Sequence, residues 1–257
     1  MVERRRAILE RVRRRNVVTV RDAARELGAS EATVRRDLSA LAGRGLVERT
    51  HGGAVLPSGM KGESSKCDWG GAPASDECVA IAIEAARLVG PGDSVMLGGG
   101  YPTLGLAREL APLDNLTVLT NSLPVCDALR DAPGVELMLT GGAVRRPSMT
   151  LVGPTMEQSL DGLRATITFL SGDGLTAHHG LSTASLAGAC ADRAAAAAGG
   201  RVVALVERSN LGRTHLWQIV SCPSIDIVIT GADPNTDEIN RIRELGVEVR
   251  TALPDRQ

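Results

Sequence analysis

From residue 77 to near the end of the chain, short runs of apolar, strand-forming residues alternate with helical patterns. The runs are SVML, LTVLT, VELMLT, ITFL, RVVALV, DIVIT and VEVR. Helical patterns cover Glu77–Val89, Thr103–Leu110 and Leu123–Arg130. Runs that are apolar along their whole length suit strands buried on both faces, and helices between them supply the covering layers. Residues 76–257 are therefore predicted to form a larger, Rossmann-like α/β domain with a mostly parallel sheet.

The first 56 residues follow a different pattern, that of three short helices and a hairpin. Thr19 and Ser30 suit the N-caps of the second and third helices, and the turn Gly28-Ala29-Ser30 has helix-turn-helix length. Residues 46–55 hold two β-prone runs around a Gly-Gly turn, as in a wing. Residues 1–56 are therefore predicted to form a winged helix-turn-helix. The predicted buried faces comprise Ile8, Leu9, Val12, Val20, Ala24, Leu27, Val34, Leu38 and Leu41.

Charge is divided unevenly between these two parts. Residues 1–60 contain 13 Arg and no Lys against 7 acidic residues, which gives +6, whereas the rest has 16 basic and 23 acidic residues, which gives −7. Between the parts, residues 57–75 are rich in Pro, Gly and Ser, a composition typical of a linker. A basic head joined to an acidic body indicates two domains with different partners.

The third helix carries the predicted contact surface for nucleic acid. Opposite its apolar side lie Ala32 and Arg36, flanked by Thr33 and Arg35. Small residues beside arginines can enter the major groove of double-stranded DNA, where an Arg fork fits a guanine edge. The surrounding arginines are predicted to pair with phosphates, and His51 is a weaker candidate contact. Those arginines are Arg4, Arg5, Arg6, Arg21 and Arg49.

The run from Val18 to Val55 resembles the DNA-binding domain of DeoR-family transcriptional regulators. The resemblance rests on S-x-x-T-V-R-R-D-L at Ser30–Leu38 and R-x-H-G-G-A at Arg49–Ala54. It implies operator DNA as the partner, usually of a repressor, with contacts from the third helix. The predicted DNA-binding residues are Ser30, Thr33, Arg35, Arg36, Arg21, Arg49 and His51.

In open α/β sheets, ligands bind beyond the carboxyl ends of the strands, and several loops there are rich in glycine or small polar residues. Each glycine cluster alone is also compatible with a simple tight turn. Neither a P-loop nor a dinucleotide fingerprint is present, so nucleotide hydrolysis, dinucleotide binding and a bound cofactor are not expected. The predicted effector-binding residues are Gly98, Gly99, Gly100, Thr103, Asn121, Ser122, Gly141, Gly142 and Asp173.

Residues 77–250 also resemble the DeoR-type sensor domain, which is related in fold to ribose 5-phosphate isomerases. The matching stretches are TNSLPV, TGG, LVGP, LSGDGL, GLST and GVEV. The resemblance implies a small-molecule effector such as a sugar phosphate, and a homo-oligomer, either a dimer or a tetramer.

Several positions depart from the family pattern. Gly98–Pro102 reads GGGYP where the family usually has D-S-G-T-T, and Asp192, Asn210 and Cys78 replace common lysines. Loss of three cations would weaken attraction to a phosphate. The sequence therefore predicts either a less anionic effector or a lost effector response, and neutral drift beside an intact pocket is the alternative.

Two other functions stay open. A sugar-phosphate isomerase fused to a DNA-binding head would need a base, for which Asp173 is the only acid in a matching loop, and no enzyme activity is expected. The second open function is that of an architectural protein that binds DNA constitutively. The five scattered cysteines predict neither a disulfide framework nor a zinc site. The absence of a long apolar run or signal peptide predicts a soluble, cytoplasmic protein with no membrane partner.

Overall fold

The structure is a computed structural model of the chain, and it describes residues 4–5, 7–8, 11–12, 17–43, 47–50, 52–55, 75–146, 148–231 and 236–252. The chain divides into two compact units, Met1–Ala72 and Pro73–Gln257. Each unit is built around apolar residues of its own. The linker predicted at residues 57–75 lies, except for residue 75, outside the described residues.

The N-terminal unit contains a helix-turn-helix and a small antiparallel sheet. Strand β1 (Val17–Thr19) precedes helices α1 (Val20–Glu26) and α2 (Glu31–Ala42). Strands β2 (Glu48–Thr50) and β3 (Gly53–Val55) follow, and the sheet order is β1-β3-β2. Residues 4, 5, 7, 8, 11 and 12 are also helical. The winged helix-turn-helix is thus confirmed, whereas β1 was not predicted, because three residues are too few to show a period.

Both predicted helix caps form. Thr19 Oγ1 accepts a hydrogen bond from Asp22 N at 3.1 Å, and Ser30 Oγ accepts one from Thr33 N at 3.2 Å. In the hairpin, a β-carbon added to Gly53 would collide with the carbonyl oxygen of Val18, so only glycine allows β1 and β3 to pair this closely. Residues Ile8, Val12, Ala23, Val34, Leu38 and Ala54 are fully buried in this core.

The second unit alternates strands and helices. Its helices are α3 (Asp76–Ala86), α4 (Tyr101–Leu110), α5 (Leu123–Leu129), α6 (Pro154–Gln158), α7 (Leu186–Ala197) and α8 (Thr236–Glu244). Its strands are β4 (Ser94–Leu97), β5 (Leu116–Thr120), β6 (Val135–Leu139), β7 (Ala143–Arg145), β8 (Thr150–Val152), β9 (Ile167–Ser171), β10 (Gly174–Thr176), β11 (Gly180–Thr183), β12 (Val202–Val206), β13 (Trp217–Val220), β14 (Ile227–Gly231) and β15 (Glu248–Ala252). None of the described helices combines the length and hydropathy that crossing a membrane requires.

Seven of these strands form one parallel sheet in the order β15-β14-β12-β9-β4-β5-β6. Each of the seven apolar runs in the sequence supplies one strand. In β12, Val203 and Leu205 pack on one face, and Val202, Ala204 and Val206 pack on the other. The prediction of a parallel sheet covered on both faces is therefore confirmed.

The strand order reverses beside β4, because β5 and β6 extend the sheet on one side and β9 continues it on the other. Such a reversal opens a crevice at the carboxyl ends of the adjoining strands. Hairpin β7–β8, which the sequence did not predict, lies at this edge. Leu151 N donates to Asn121 O at 2.7 Å, and Leu123 N donates to Met149 O at 3.1 Å, so the hairpin is attached to the loop after β5.

A second antiparallel sheet, β10-β11-β13, was also not predicted. It begins immediately after the loop that follows β9, and Asp173 N donates to Ser182 O at 2.9 Å. Because β10 pairs with β11 here, Asp173 is fixed at the edge of the crevice rather than in a free loop.

Candidate functional site

Helix α2, which is the third helix of the sequence-based prediction, presents its arginines outward. Arg35 and Arg36 are both exposed. Arg35 pairs with Glu31 one turn earlier at 2.9 Å, in an ion pair whose side chains are 60% and 49% exposed and which is therefore weak. Within the described part of the chain, Arg36 makes no hydrogen bond or ion pair. It is therefore the arginine of this helix that is most available to another molecule.

The wing adds a further arginine to this surface. Arg49 of β2 donates through Nη1 to Ser39 Oγ at 2.6 Å and to the carbonyl oxygen of Arg35 at 3.4 Å. These bonds hold a wing cation against the exposed side of α2. Arg21 is exposed in the first turn of α1. The structure thus brings Arg49 beside Arg35 on the helix that also carries Arg36 and is capped by Ser30. Thr33 is half-buried with its hydroxyl 2.8 Å from Ser30 Oγ, and His51 lies outside the described residues.

Arg4 and Arg5 have a different role from the one predicted for them. They were predicted to pair with phosphates, but their Nε atoms bind the two carboxylate oxygens of Asp37 at 2.6 and 2.7 Å. Asp37 is 2% exposed and lies on the inner side of α2, between Val34 and Leu38. Burial is the largest single influence and would raise the pKa of this carboxyl, but the hydrogen bonds and positive charges of Arg5 and Arg4 together outweigh burial and lower the pKa. The two arginines therefore attach the N-terminal helical residues to α2.

Sequence analysis missed Asp37, although one signal was present. An acid three residues after Val34 falls on the apolar side of a helix, where a carboxylate requires a cationic partner. The arginines near the N-terminus were the available partners.

The loops predicted to bind the effector follow four adjacent strands, β9, β4, β5 and β6, so the structure brings them to one edge of the sheet. At the centre, Gly98 N donates to Phe169 O at 3.0 Å, and Gly100 is the N-cap of helix α4, which therefore has no side-chain cap. An uncapped helix start leaves N–H groups for a ligand or water. Gly100 has φ of +140°, and a β-carbon there would lie 2.7 Å from Ser171 Cβ, so this close approach requires glycine.

Polar atoms without partners mark the same edge. Among the described residues, Asn121 Oδ1, Thr140 Oγ1 and Ser171 Oγ are buried and lack a hydrogen bond. Asn121 is 1% exposed, and its Nδ2 donates to Leu151 O at 3.1 Å, which fixes the amide orientation. Buried polar atoms usually have partners, so three orphans together indicate a place for a ligand or water.

Two carboxylates also reach the crevice. Asp173 Oδ2 accepts hydrogen bonds from Thr183 Oγ1 at 2.7 Å and Ala184 N at 3.1 Å. Asp192, on α7, places Oδ1 3.5 Å from the position that a β-carbon of Gly98 would take. Burial raises the pKa of Asp192 to about 7, Asp173 adds to this effect, and Arg145 of the hairpin opposes it.

Other predicted effector residues have roles within the fold. Thr103 is fully buried, and its hydroxyl donates to Gly100 O at 3.0 Å. Gly142 has φ of +121° and lies against the backbone of Val152, as a turn glycine does. A β-carbon on Gly141 would lie 2.9 Å from Thr155 Cγ2, and Ser122 is buried at the start of α5. Thr140, Arg145 and Ser171 were not among the predicted effector-binding residues, although Thr140 and Ser171 lie in the matching stretches TGG and LSGDGL.

Two family models match the chain, the DeoR-like helix-turn-helix domain over residues 4–59 and the DeoR C-terminal sensor domain over residues 74–232. The chain belongs to the DeoR family of transcriptional regulators. The regulator is 31% identical over 252 residues to a candidate transcriptional repressor of the aga operon from Escherichia coli O157:H7, covering 96% of this chain and 92% of that protein. It is 30% identical over 252 residues to the transcriptional repressor GlcR of Bacillus subtilis, covering 97% and 95%.

Among solved structures, ribose 5-phosphate isomerase A from Methanocaldococcus jannaschii overlaps 54% of the regulator and 55% of the isomerase, at 20% identity and a TM-score of 0.39. The seven-stranded parallel sheet itself, rather than this partial overlap, defines the fold. The family matches confirm the resemblance on which the sequence-based prediction of a DNA-binding regulator rested.

Proposed function

We propose that the regulator represses genes of carbohydrate metabolism, reading operator DNA with residues 1–56 and responding to a small metabolite bound by residues 76–257. Relatives named as transcriptional repressors support the direction of control. The observation that most supports DNA reading is the exposed Arg36 on a capped helix, beside Arg35 and the wing residue Arg49. An arginine with no partner among the described residues is available for a bidentate contact with guanine.

The proposed operator contacts fall into two kinds. Arg36 and Arg35 face base edges, with Thr33 and Ser30 at the start of the same helix, and Arg21, Arg49 and His51 contact phosphates or sugars. We further propose that the regulator acts as a homo-oligomer, a dimer or a tetramer, because paired heads read two half-sites separated by whole helical turns. Operator binding also places it in the cytoplasm, with no membrane partner.

A regulatory rather than an enzymatic role suits the crevice. Asp173, the acid nominated as a catalytic base, has Oδ2 engaged by Thr183 and Ala184. A general base must instead reach a substrate proton. We therefore assign the crevice to effector binding, through the loops at Gly98–Gly100, Asn121–Ser122, Gly141–Gly142 and Asp173.

The proposal is tested by binding of the purified regulator to duplexes selected from a random pool, measured by fluorescence anisotropy. Arg36→Ala is expected to weaken binding to the selected duplex by about 1–3 kcal/mol and to relax discrimination at one base pair. Arg130→Ala is the matched control, because it removes the same charge from an exposed position of the other unit. The proposed recognition surface would be contradicted if no DNA sequence were selected from the pool, or if both variants lost the same amount of binding affinity.

A further inference from the structure

The unpartnered oxygen of Asn121 favours a ligand that donates hydrogen bonds. Because Nδ2 donates to Leu151 O, turning the amide over would break that hydrogen bond, so Oδ1 keeps its position, where it can only accept. Asn121 directly follows β5, and Thr120 pairs with Leu97, so Asn121 lies beside the start of the glycine loop. The nearby hydroxyls of Thr140 and Ser171 can either donate or accept.

The charged residues of the crevice also disfavour an anionic ligand. Asp192 lies against Gly98, at the loop where helix α4 begins, so a dianion bound at that helix start would meet a carboxylate. Repulsion between like charges is strong in a partly buried site. Among the described residues, Arg145 is the cation that lowers the pKa of Asp192, and Asp173 is a second carboxylate that acts on it. These three groups, two acids and one cation, sum to a net negative charge, which disfavours a phosphate beside them.

The position of hairpin β7–β8 also disfavours a phosphate in the crevice. A β-carbon on Gly99 would collide with Thr150 of β8, and Ser122 and Thr150 form a bridge between the hairpin and the loop after β5. Arg145 is held by Ser148 Oγ at 2.7 Å, and Ser148 in turn contacts Thr150 Oγ1 at 2.7 Å. The hairpin thus packs against Gly99, whereas Gly100 is exposed, so a bound charge would lose part of its hydration on the side of the hairpin.

We propose that the crevice binds an uncharged polyhydroxylated compound, an unphosphorylated sugar or polyol, whose hydroxyls donate to Asp192 and Asn121 Oδ1. This ligand class rests on the proposed function, because it specifies the effector of the same regulator. Hydroxyl groups satisfy acceptor atoms without adding charge. Phosphorylated counterparts of the same compound are excluded by Asp192.

The test uses the full-length regulator at pH 7.5 and titration calorimetry with matched pairs. The probes are ribose and ribose 5-phosphate, fructose and fructose 6-phosphate, sorbitol and sorbitol 6-phosphate, and N-acetylgalactosamine and its 6-phosphate. At least one unphosphorylated probe is expected to bind about tenfold or more tightly than its phosphorylated partner. Tighter binding of a phosphorylated probe, or binding of no unphosphorylated probe, would overturn the inference.

Two variants sharpen the result. Asp192→Lys is expected to reverse the preference within the pair that binds, by about tenfold or more, and Asp192→Asn is expected to reduce it without reversal. Asp161→Lys makes the same charge change at an exposed position and should leave the preference unchanged. An unchanged preference in both Asp192 variants would contradict the assignment to this crevice.

Operator binding without added ligand separates this inference from the proposed function. If the wild-type regulator selects an operator but prefers phosphorylated probes, only the ligand class is wrong. If it selects no operator, the proposed function fails whatever the crevice binds.

Discussion

Each unit contains an aspartate that is buried or half-buried, and the consequences for its pKa are opposite. In the N-terminal unit, Asp37 lies between Arg4 and Arg5, and these partners outweigh burial, so its pKa is lowered. In the second unit, burial and the neighbouring Asp173 outweigh Arg145, so the pKa of Asp192 rises to about 7. The number of nearby arginines decides whether the pKa falls or rises, because a carboxylate withdrawn from water is stable only when positive charges compensate for its lost hydration.

The comparison separates two uses of the same side chain. Asp37 has both carboxylate oxygens engaged and supports the helix that carries the proposed DNA contacts. Asp192 is under-compensated and lies at the edge of a sheet where other polar atoms also lack partners. A fully paired carboxylate serves the fold, whereas an under-compensated one beside a crevice is a candidate for ligand binding.

The largest change in stability is expected when the paired aspartate, Asp37, is removed. Asp37→Ala leaves Arg4 and Arg5 without their shared partner and should destabilise the N-terminal unit by about 3 kcal/mol. The figure lies at the low end for a broken buried pair because the arginine side chains are 31% and 32% exposed and can turn towards water. Calorimetric melting of the full chain measures it, together with loss of operator binding.

Glu31→Ala is the control for Asp37→Ala, since Glu31 belongs to the same helix but forms an exposed pair with Arg35. Its effect should stay below about 1 kcal/mol. Equal destabilisation by the two substitutions would show that the buried position of Asp37 has no special importance.

A smaller, opposite effect is expected at Asp192. The folded chain holds this proton up to about pH 7, whereas the unfolded chain releases it near the ordinary value of 3.8. The folded state therefore binds the additional proton between those values, so this group lowers stability as pH rises through that window. Asp192→Asn should stabilise the second unit at pH 8 by about 2 kcal/mol and have little effect at pH 4.

Urea unfolding at pH 4, 6 and 8 provides the measurement. A stabilisation that does not depend on pH would show that ionisation of Asp192 is not its source. Asp37 gives the contrasting sign, because its lowered pKa contributes stability that is present at neutral pH and lost as pH falls below about 4.

The smallest effect concerns Arg145. Arg145→Gln removes the cation that opposes protonation of Asp192, so the pKa of Asp192 should rise further, equivalent to about 1 kcal/mol. Carbon-13 NMR titration of the Asp192 carboxyl measures this directly. Arg164→Gln, at an exposed position in the same unit, is the control. A downward change in the Arg145 variant would contradict the described arrangement.

The sequence by itself determined the local elements and their order. Thr19 and Ser30 cap helices as their spacing predicted, and the seven apolar runs became the seven strands of the parallel sheet. The loops at Gly98–Gly100, Asn121 and Asp173 also lie at one edge, since carboxyl ends of adjacent parallel strands meet there. Period and capping act over a few residues, so their signals are complete within the local sequence.

Only the tertiary structure decided which charged groups meet. Arg4 and Arg5 find Asp37 more than thirty positions along the chain, and Asp192 reaches Gly98 from a helix nearly a hundred residues later. Hairpin β7–β8 and strand β1 escaped prediction because three-residue strands have no readable period and, unlike the wing strands, they are not joined to their pairing partners by a Gly-Gly turn that would indicate a hairpin. Whether a carboxylate stabilises the fold or remains available to a ligand follows from its neighbours in space, and local sequence does not encode these.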